Sequence, residues 1–194
     1  MGSEFLRALR PAFVLTLLLT LLLGVAYPFV VLGIGQALLP VQANGSLVMD
    51  NGKVVGSSLI GQGFASPRYF HGRPSAAGKG YDANSSSGSN LGPTSKALHD
   101  RIAGDIAALR KDGVTGAIPA DLVTASASGL DPDISPAAAT IQVSRVAKAR
   151  NMSEAAVGVL VENAVVAPSF GIIGEPHVNV LALNRALDAA GAKP

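Results

Sequence analysis

The chain has 194 residues, with 15 Lys and Arg against 13 Asp and Glu, three His and no Cys. The lack of cysteine excludes disulfides, zinc-thiolate sites and thiol nucleophiles together. The near-balanced charge, with only Arg145, Lys148 and Arg150 close together, excludes a nucleic-acid face, and the absence of Trp argues against a base-stacking platform.

In chain order, residues 11–49 carry no charge, and Pro11 to Leu32 are almost wholly apolar. About 20 such residues in a helix cross the ~30 Å hydrocarbon core of a bilayer. The run therefore predicts a membrane helix over 11–33, after a short N-terminus (1–10) and before a linker (34–45). Arg7 and Arg10 precede the run and no basic residue follows until Lys53. The positive-inside bias then predicts a cytoplasmic N-terminus and an extracytoplasmic domain over 46–194. Pro28, Gly33 and Gly35 predict a kink or fraying at the outer end, near Tyr27. Thr16 and Thr20 can bond back to carbonyls or to a neighbouring helix, and with Gly24 they are candidate partner contacts. Val41-Gln42-Ala43 also suits a signal-peptide cleavage site, but signal h-regions run only about 7–15 residues, so a retained anchor is the better reading.

From Asn44 onward, 13 basic and 12 acidic residues remain once Arg7, Arg10 and Glu4 are set aside. This is the size of one ordinary domain. Asp50-Asn51-Gly52 between Ser46–Met49 and Lys53–Gly56 predicts a hairpin, because a type I′ turn needs two positive φ angles. Residues 57–64 read as extended. Residues 65–93, dense in Gly, Pro, Ser and Asn, predict a long loop; Tyr69, Phe70 and Tyr81 within it predict that part of it packs. Leu98, Ile102, Ile106 and Leu109 predict a helix over 94–110, with Thr94 as cap and Gly113 as stop. Residues 114–134 read as irregular. Ser135-Pro136 starts a helix to about Arg150, Ser153 caps another carrying Val157, Leu160, Val161, Ala164 and Val165, and the last runs from about Asn179 to Ala190. The expected fold class is α+β: one N-terminal membrane helix, then a single domain with a small antiparallel sheet and three to four helices.

Recognised catalytic motifs are absent. There is no Walker loop and no G-x-S-x-G elbow. Ser126 and Ser128, with His71 as base, would make the only hydrolase reading, and nothing in their spacing pairs them. Three scattered histidines lack metal-ligand spacing, and Asp131 and Asp133 lack a calcium loop. No catalytic residue and no metal site are assigned. Asn84 to Asn90 can form a backbone anion nest, although a solvated loop is the simpler reading.

Seven motifs occur in order along the chain. They are Gln42–Leu47, Gly56–Gln62, Tyr69-Phe70-His71-Gly72-Arg73-Pro74-Ser75-Ala76, and Ser87-Gly88-Ser89-Asn90-Leu91. Then come Val123–Asp131 with Ile134-Ser135-Pro136, Arg145–Asn151, and Val178–Asp188. Together with the anchor they resemble the C-subunit family (KdpC) of the Kdp potassium-transporting ATPase over nearly the whole chain.

The resemblance implies a bacterial inner-membrane complex that imports K⁺ at the expense of ATP. A channel-like subunit would bind K⁺ and a P-type subunit would hydrolyse ATP; both, with the lipid bilayer, are the implied partners. This chain has neither an Asp-Lys-Thr-Gly phosphorylation sequence nor a Gly-Tyr-Gly filter. The family's C subunit is described as a catalytic chaperone that raises the ATP affinity of the P-type subunit. No tightly bound cofactor is implied, and ATP would be met through that partner. A direct nucleotide contact would use Ser87, Gly88, Ser89 and Asn90, which resemble a phosphate-facing segment. The orientation rule places that loop opposite cytoplasmic ATP. The other reading is an external cap on the channel-like subunit, with Tyr69, Phe70 and Arg73 as its contacts.

Overall fold

The structure is a computed structural model that describes residues 2–191. It divides at Leu47/Val48 into two units.

The first unit is almost entirely helical. Helix α1 (Gly2–Leu21) passes through one π turn (Leu22–Ala26) into α2 (Tyr27–Leu38), and a short α3 (Pro40–Ala43) follows. The π turn has a local cause. Pro28 has no N–H to offer the Gly24 carbonyl, and its ring needs the space that carbonyl would occupy. The Tyr27 N–H reaches back five residues to the Leu22 carbonyl instead. Every side chain from Glu4 to Ile34 is exposed. A helix apolar on all faces needs an apolar surround, and Glu4–Leu38 is long and apolar enough to cross a membrane. At 1.5 Å per residue it extends about 50 Å, well beyond the hydrocarbon thickness. The segment expected to be a linker is therefore helical over most of its length.

At the start of the second unit is the hairpin of β1 (Leu47–Asp50), whose first residue closes the first unit, and β2 (Lys53–Ser57). Asn51 and Gly52 carry the positive φ angles, 47° and 77°, that the Asn-Gly turn requires. Residues 57–64 do not stay extended. Ser57 bridges to Ile60, the Ser57 hydroxyl accepts from the Leu59 N–H, and the Gly61 N–H donates to the Leu130 carbonyl. Helix α4 (Lys96–Lys111) is capped by Ser95 rather than Thr94, through the Leu98 N–H; Gly113, at φ 93°, ends it.

The predicted helix over 135–150 is two helices, α5 (Pro136–Thr140) and α6 (Val143–Arg150). They part where Gln142 turns its side-chain amide back onto the Ala138 carbonyl. Ser135 and Ser153 cap α5 and α7 (Glu154–Ala164) through the N–H groups of Ala138 and Ala156. The last helix is α8 (Val180–Gly191).

A second sheet has no counterpart in the sequence reading. Strands β3 (Asp133–Ile134), β4 (Val165–Val166) and β5 (His177–Asn179) pair antiparallel in the order β3-β5-β4. Val178 lies opposite both Ile134 and Val165. Around it sits the core: Phe70, Leu122, Ile134, Ala138, Val146, Val157, Val161, Val180, Leu183 and Leu187. The α+β class holds, with its core between this small sheet and α5–α8.

Candidate interaction surface

The long loop 65–93 is fixed onto the helices by two buried amides. Asn184 of α8 accepts from the Phe70 N–H at 2.8 Å and donates to the Phe70 carbonyl at 3.0 Å. Gln142 does the same for the next residue, accepting from the His71 N–H at 2.8 Å and donating to its carbonyl at 3.1 Å. Each amide presents a donor and an acceptor side by side, as a neighbouring strand would. Asn184 and Gln142 are only 1% and 3% exposed, so no water substitutes for them.

This arrangement decides the three loop residues expected to face a partner. Phe70 is fully buried in the core, which corrects that expectation: its ring has no outer surface to offer. Tyr69 is half-buried, with the Arg150 guanidinium 4.8 Å from its ring centre. Its hydroxyl donates to Asp188. Arg150 in turn donates to Asp188 at 2.8 Å. Arg73 pairs with Asp131 at 2.8 Å and reaches the Thr124 carbonyl and hydroxyl. All three side chains hold the loop to its own domain.

Ser75 and Gly129 lock the next stretch. The Ser75 hydroxyl donates to the Gly129 carbonyl at 2.6 Å and accepts from the N–H groups of Tyr81 and Ala77. A Cβ on Gly129, whose φ is 66°, would stand 2.6 Å from the Ala77 nitrogen and 2.7 Å from the Ser87 carbonyl oxygen. The Ser87 N–H donates to the Ser128 carbonyl, which also accepts from the Ser86 hydroxyl. Gly88 lies against the Ala127 backbone and Asn90 has φ 51°. The Ser87 amide, which a phosphate cradle would need, is thus engaged within the domain.

Between this loop and α4 lies a cavity of about 280 Å³, lined by Phe64, His71, Tyr81, Leu109, Gln142 and Arg145 among others. Burial, and then the positive Arg145, lower the His71 pKa below 6.5. That shift favours the neutral ring, and Nε2 donates to the Ser66 carbonyl. Burial raises the Tyr81 pKa, with Asp131 adding to it; the phenol donates to the Arg73 carbonyl at 2.6 Å. Burial also lowers the Arg145 pKa. Arg145 donates to the Pro67 and Tyr69 carbonyls and to Gln142. The side chains of His71, Tyr81, Gln142 and Arg145 are each engaged by partners within the domain, which suits a rigid scaffold.

The hydrolase reading finds no support in the bonding. The Ser128 hydroxyl accepts from the Leu130 N–H, and the His71 ring is held by Ser66. Among the described residues no group of three His, Asp or Glu side chains is placed to hold a metal.

In the first unit, Thr16, Thr20 and Gly24 are exposed and recur every four residues. A Cβ on Gly24 would meet the Thr20 Cγ2 at 4.0 Å, so the two are neighbours and the glycine leaves a shallow notch within the π turn.

The sequence reading missed Gln142, Asn184, Arg150 and Asp188 as organisers. Asn184 had a readable signal: it is the one polar residue among Val180, Leu183 and Leu187 on the inner face of its helix. Also missed was the apolar turn Phe170-Gly171-Ile172-Ile173 between β4 and β5, where Phe170 is 93% exposed.

Comparison with known proteins agrees over almost the full length. A profile of the family described as "K+-transporting ATPase, c chain" matches residues 9–189. A potassium-transporting ATPase KdpC subunit of Caulobacter vibrioides (strain NA1000 / CB15N) is 62% identical over 182 residues, covering 93% of this chain and 92% of the relative. The KdpC subunit of Bradyrhizobium diazoefficiens is 56% identical over 200 residues, covering 97% of this chain and all of the relative. That of Gemmatimonas aurantiaca is 57% identical over 186 residues, covering 95% and 94%.

Proposed function

Since the chain belongs to the KdpC family of K⁺-transporting ATPase subunits, we propose that it is a non-catalytic accessory subunit of an ATP-driven K⁺ import complex. It is held by one helix in the inner membrane, with its folded domain on the extracytoplasmic side. There the domain acts as a cap and assembly element over the channel-like, K⁺-binding subunit. The observation that carries this reading is the one helix among the described residues that is long and apolar enough to cross a membrane, with Arg7 and Arg10 at one end and no basic residue until Lys53 at the other. That asymmetry directs the N-terminus to the cytoplasm. The anchor docks along Thr16, Thr20 and Gly24, where small residues let helix backbones approach.

The test is Gly24→Leu in the intact complex. Filling the notch lowers recovery of this chain with the other subunits and lowers K⁺ uptake. Full recovery with normal uptake would remove the anchor from the interface.

A second reading, the chaperone that raises the ATP affinity of the P-type subunit, is favoured by the π turn at Leu22–Ala26. Such turns recur at functional positions in helices, and this one contains Gly24 of the proposed contact. Because the Ser87 amide is engaged by Ser128, the effect would travel through the anchor rather than through nucleotide on the Ser87-Gly88-Ser89-Asn90 loop. It requires two anchor states that the partner tells apart. The pump's ATP affinity, measured with and without this chain, decides: an unchanged value removes the chaperone role.

A further inference from the structure

Between β4 and β5 the chain makes a tight, rigid turn with an apolar tip. The Ser169 N–H donates to the Ile173 carbonyl at 2.9 Å and the Ile173 N–H returns to the Ser169 carbonyl at 3.0 Å. The Gly171 N–H closes on the Pro168 carbonyl at 2.9 Å. Phe170 and Gly171 both hold left-handed φ angles, 55° and 75°. On this frame Phe170, Ile172 and Ile173 are 93%, 84% and 62% exposed.

The domain gains nothing from this display. A Phe in the left-handed region is a real outlier that a Gly or Asn would relieve. The ring contributes no burial in return. Strain combined with exposed apolar area marks a contact site. The paired backbone bonds fix the tip before any partner arrives, which lowers the entropy lost on docking.

The charge pattern selects the occupant. No Lys or Arg occurs from Asn151 to Asn184, while Glu162 and Glu175 flank the turn. An anionic bilayer surface favours basic flanks, and bilayer interfaces favour Trp and Tyr as anchors; this segment has neither. We propose that Phe170, Ile172 and Ile173 are a hydrophobic anchor that inserts into an apolar pocket on the outer face of another subunit of the same ATPase. The inference rests on the reading of this chain as a subunit of that complex with its domain outside.

Full-length chain carrying Phe170→Ser and Ile172→Ser is titrated, beside wild type, into detergent-solubilised complex that lacks it. The double variant binds at least about thirtyfold more weakly, as loss of a central anchor does. Its thermal unfolding matches wild type, because the replaced side chains are exposed. Phe170→Leu, which keeps an apolar side chain, retains most of the affinity.

A second measurement identifies the occupant. An environment-sensitive fluorophore at Ile172→Cys, on full-length chain in vesicles of phosphatidylethanolamine and phosphatidylglycerol, shifts to the blue only when the other subunits are present. Wild-type binding with unchanged binding of the double variant overturns the anchor while leaving the subunit reading intact. Absence of wild-type binding overturns both. A blue shift in vesicles holding this chain alone overturns the proposal in favour of lipid, or of a second copy where the shift grows with chain density.

Discussion

Asn184→Leu isolates the clamp that fixes the long loop. The two side chains are close in volume, so the replacement opens little cavity and the loss is that of the hydrogen bonds. Two bonds disappear, of 2.8 Å and 3.0 Å, and both belong to the backbone of Phe70, which is fully buried. Each buried backbone group left without a partner costs about 1–3 kcal/mol. The variant is therefore less stable by about 2–6 kcal/mol, a large part of the roughly 5–15 kcal/mol that holds a domain together. Urea unfolding of the full-length chain in detergent, followed by circular dichroism, reads the difference from the midpoint and slope. Asn184→Asp sharpens the test. A carboxylate accepts from the Phe70 N–H but donates nothing to its carbonyl, whereas a neutral carboxyl does both. Its destabilisation shrinks as pH falls and the carboxyl protonates. A Leu variant within about 0.5 kcal/mol of wild type, the range of ordinary surface substitutions, would refute the clamp.

Other outcomes follow from the same geometry. Burial, chiefly, lowers the His71 pKa from its ordinary value of 6.5 and favours the neutral ring. The unfolded chain therefore takes up this proton first on acidification. Its contribution to stability is complete above about pH 6.5 and is lost as pH falls from there to the lowered folded value; His71→Gln removes that part of the pH dependence in unfolding experiments. Gly129→Ala places a side chain in the left-handed region and 2.6 Å from the Ala77 nitrogen. It destabilises by more than the ~1–2 kcal/mol of the conformation alone, and a variant as stable as wild type would show that the two loops are not locked there. Tyr69→Phe removes one bond to a half-exposed Asp188 and shifts the unfolding free energy by less than about 1.5 kcal/mol. Arg150→Ala, whose side chain is 4% exposed and also holds the Arg68 carbonyl, shifts it more.

Much of the local architecture was legible because it rests on short-range chemistry. Asn51-Gly52 named its turn, and Ser135-Pro136, Ser153 and Gly113 named helix ends, since each acts on backbone groups within a few residues. The uncharged run named the long apolar helix. The β3-β5-β4 sheet was not legible, because strands of two or three residues carry no alternation to read. The break at Ile141-Gln142 was hidden for a different reason: Gln142 leaves the helix pattern to serve His71, 71 residues away.

Phe70 and Phe170 show where reading by residue type fails. Both are loop aromatics, one between Tyr69 and His71 and the other between Ser169 and Gly171. One is fully buried and the other 93% exposed. What separates them is Asn184, which stands 114 residues from Phe70 in the chain. Local sequence holds no trace of that contact, although the aromatics of loop 65–93 do signal that part of it packs, as Phe70 does.

The central claim is that the folded body lies outside the cytoplasm on a single anchor. With no native cysteine, one introduced at the exposed Lys79 reports its side directly. Lys79→Cys in intact cells, treated with a membrane-impermeant maleimide before lysis, is labelled as fully as in broken membranes. Protection in intact cells, with labelling only after the membrane is opened, would contradict the account.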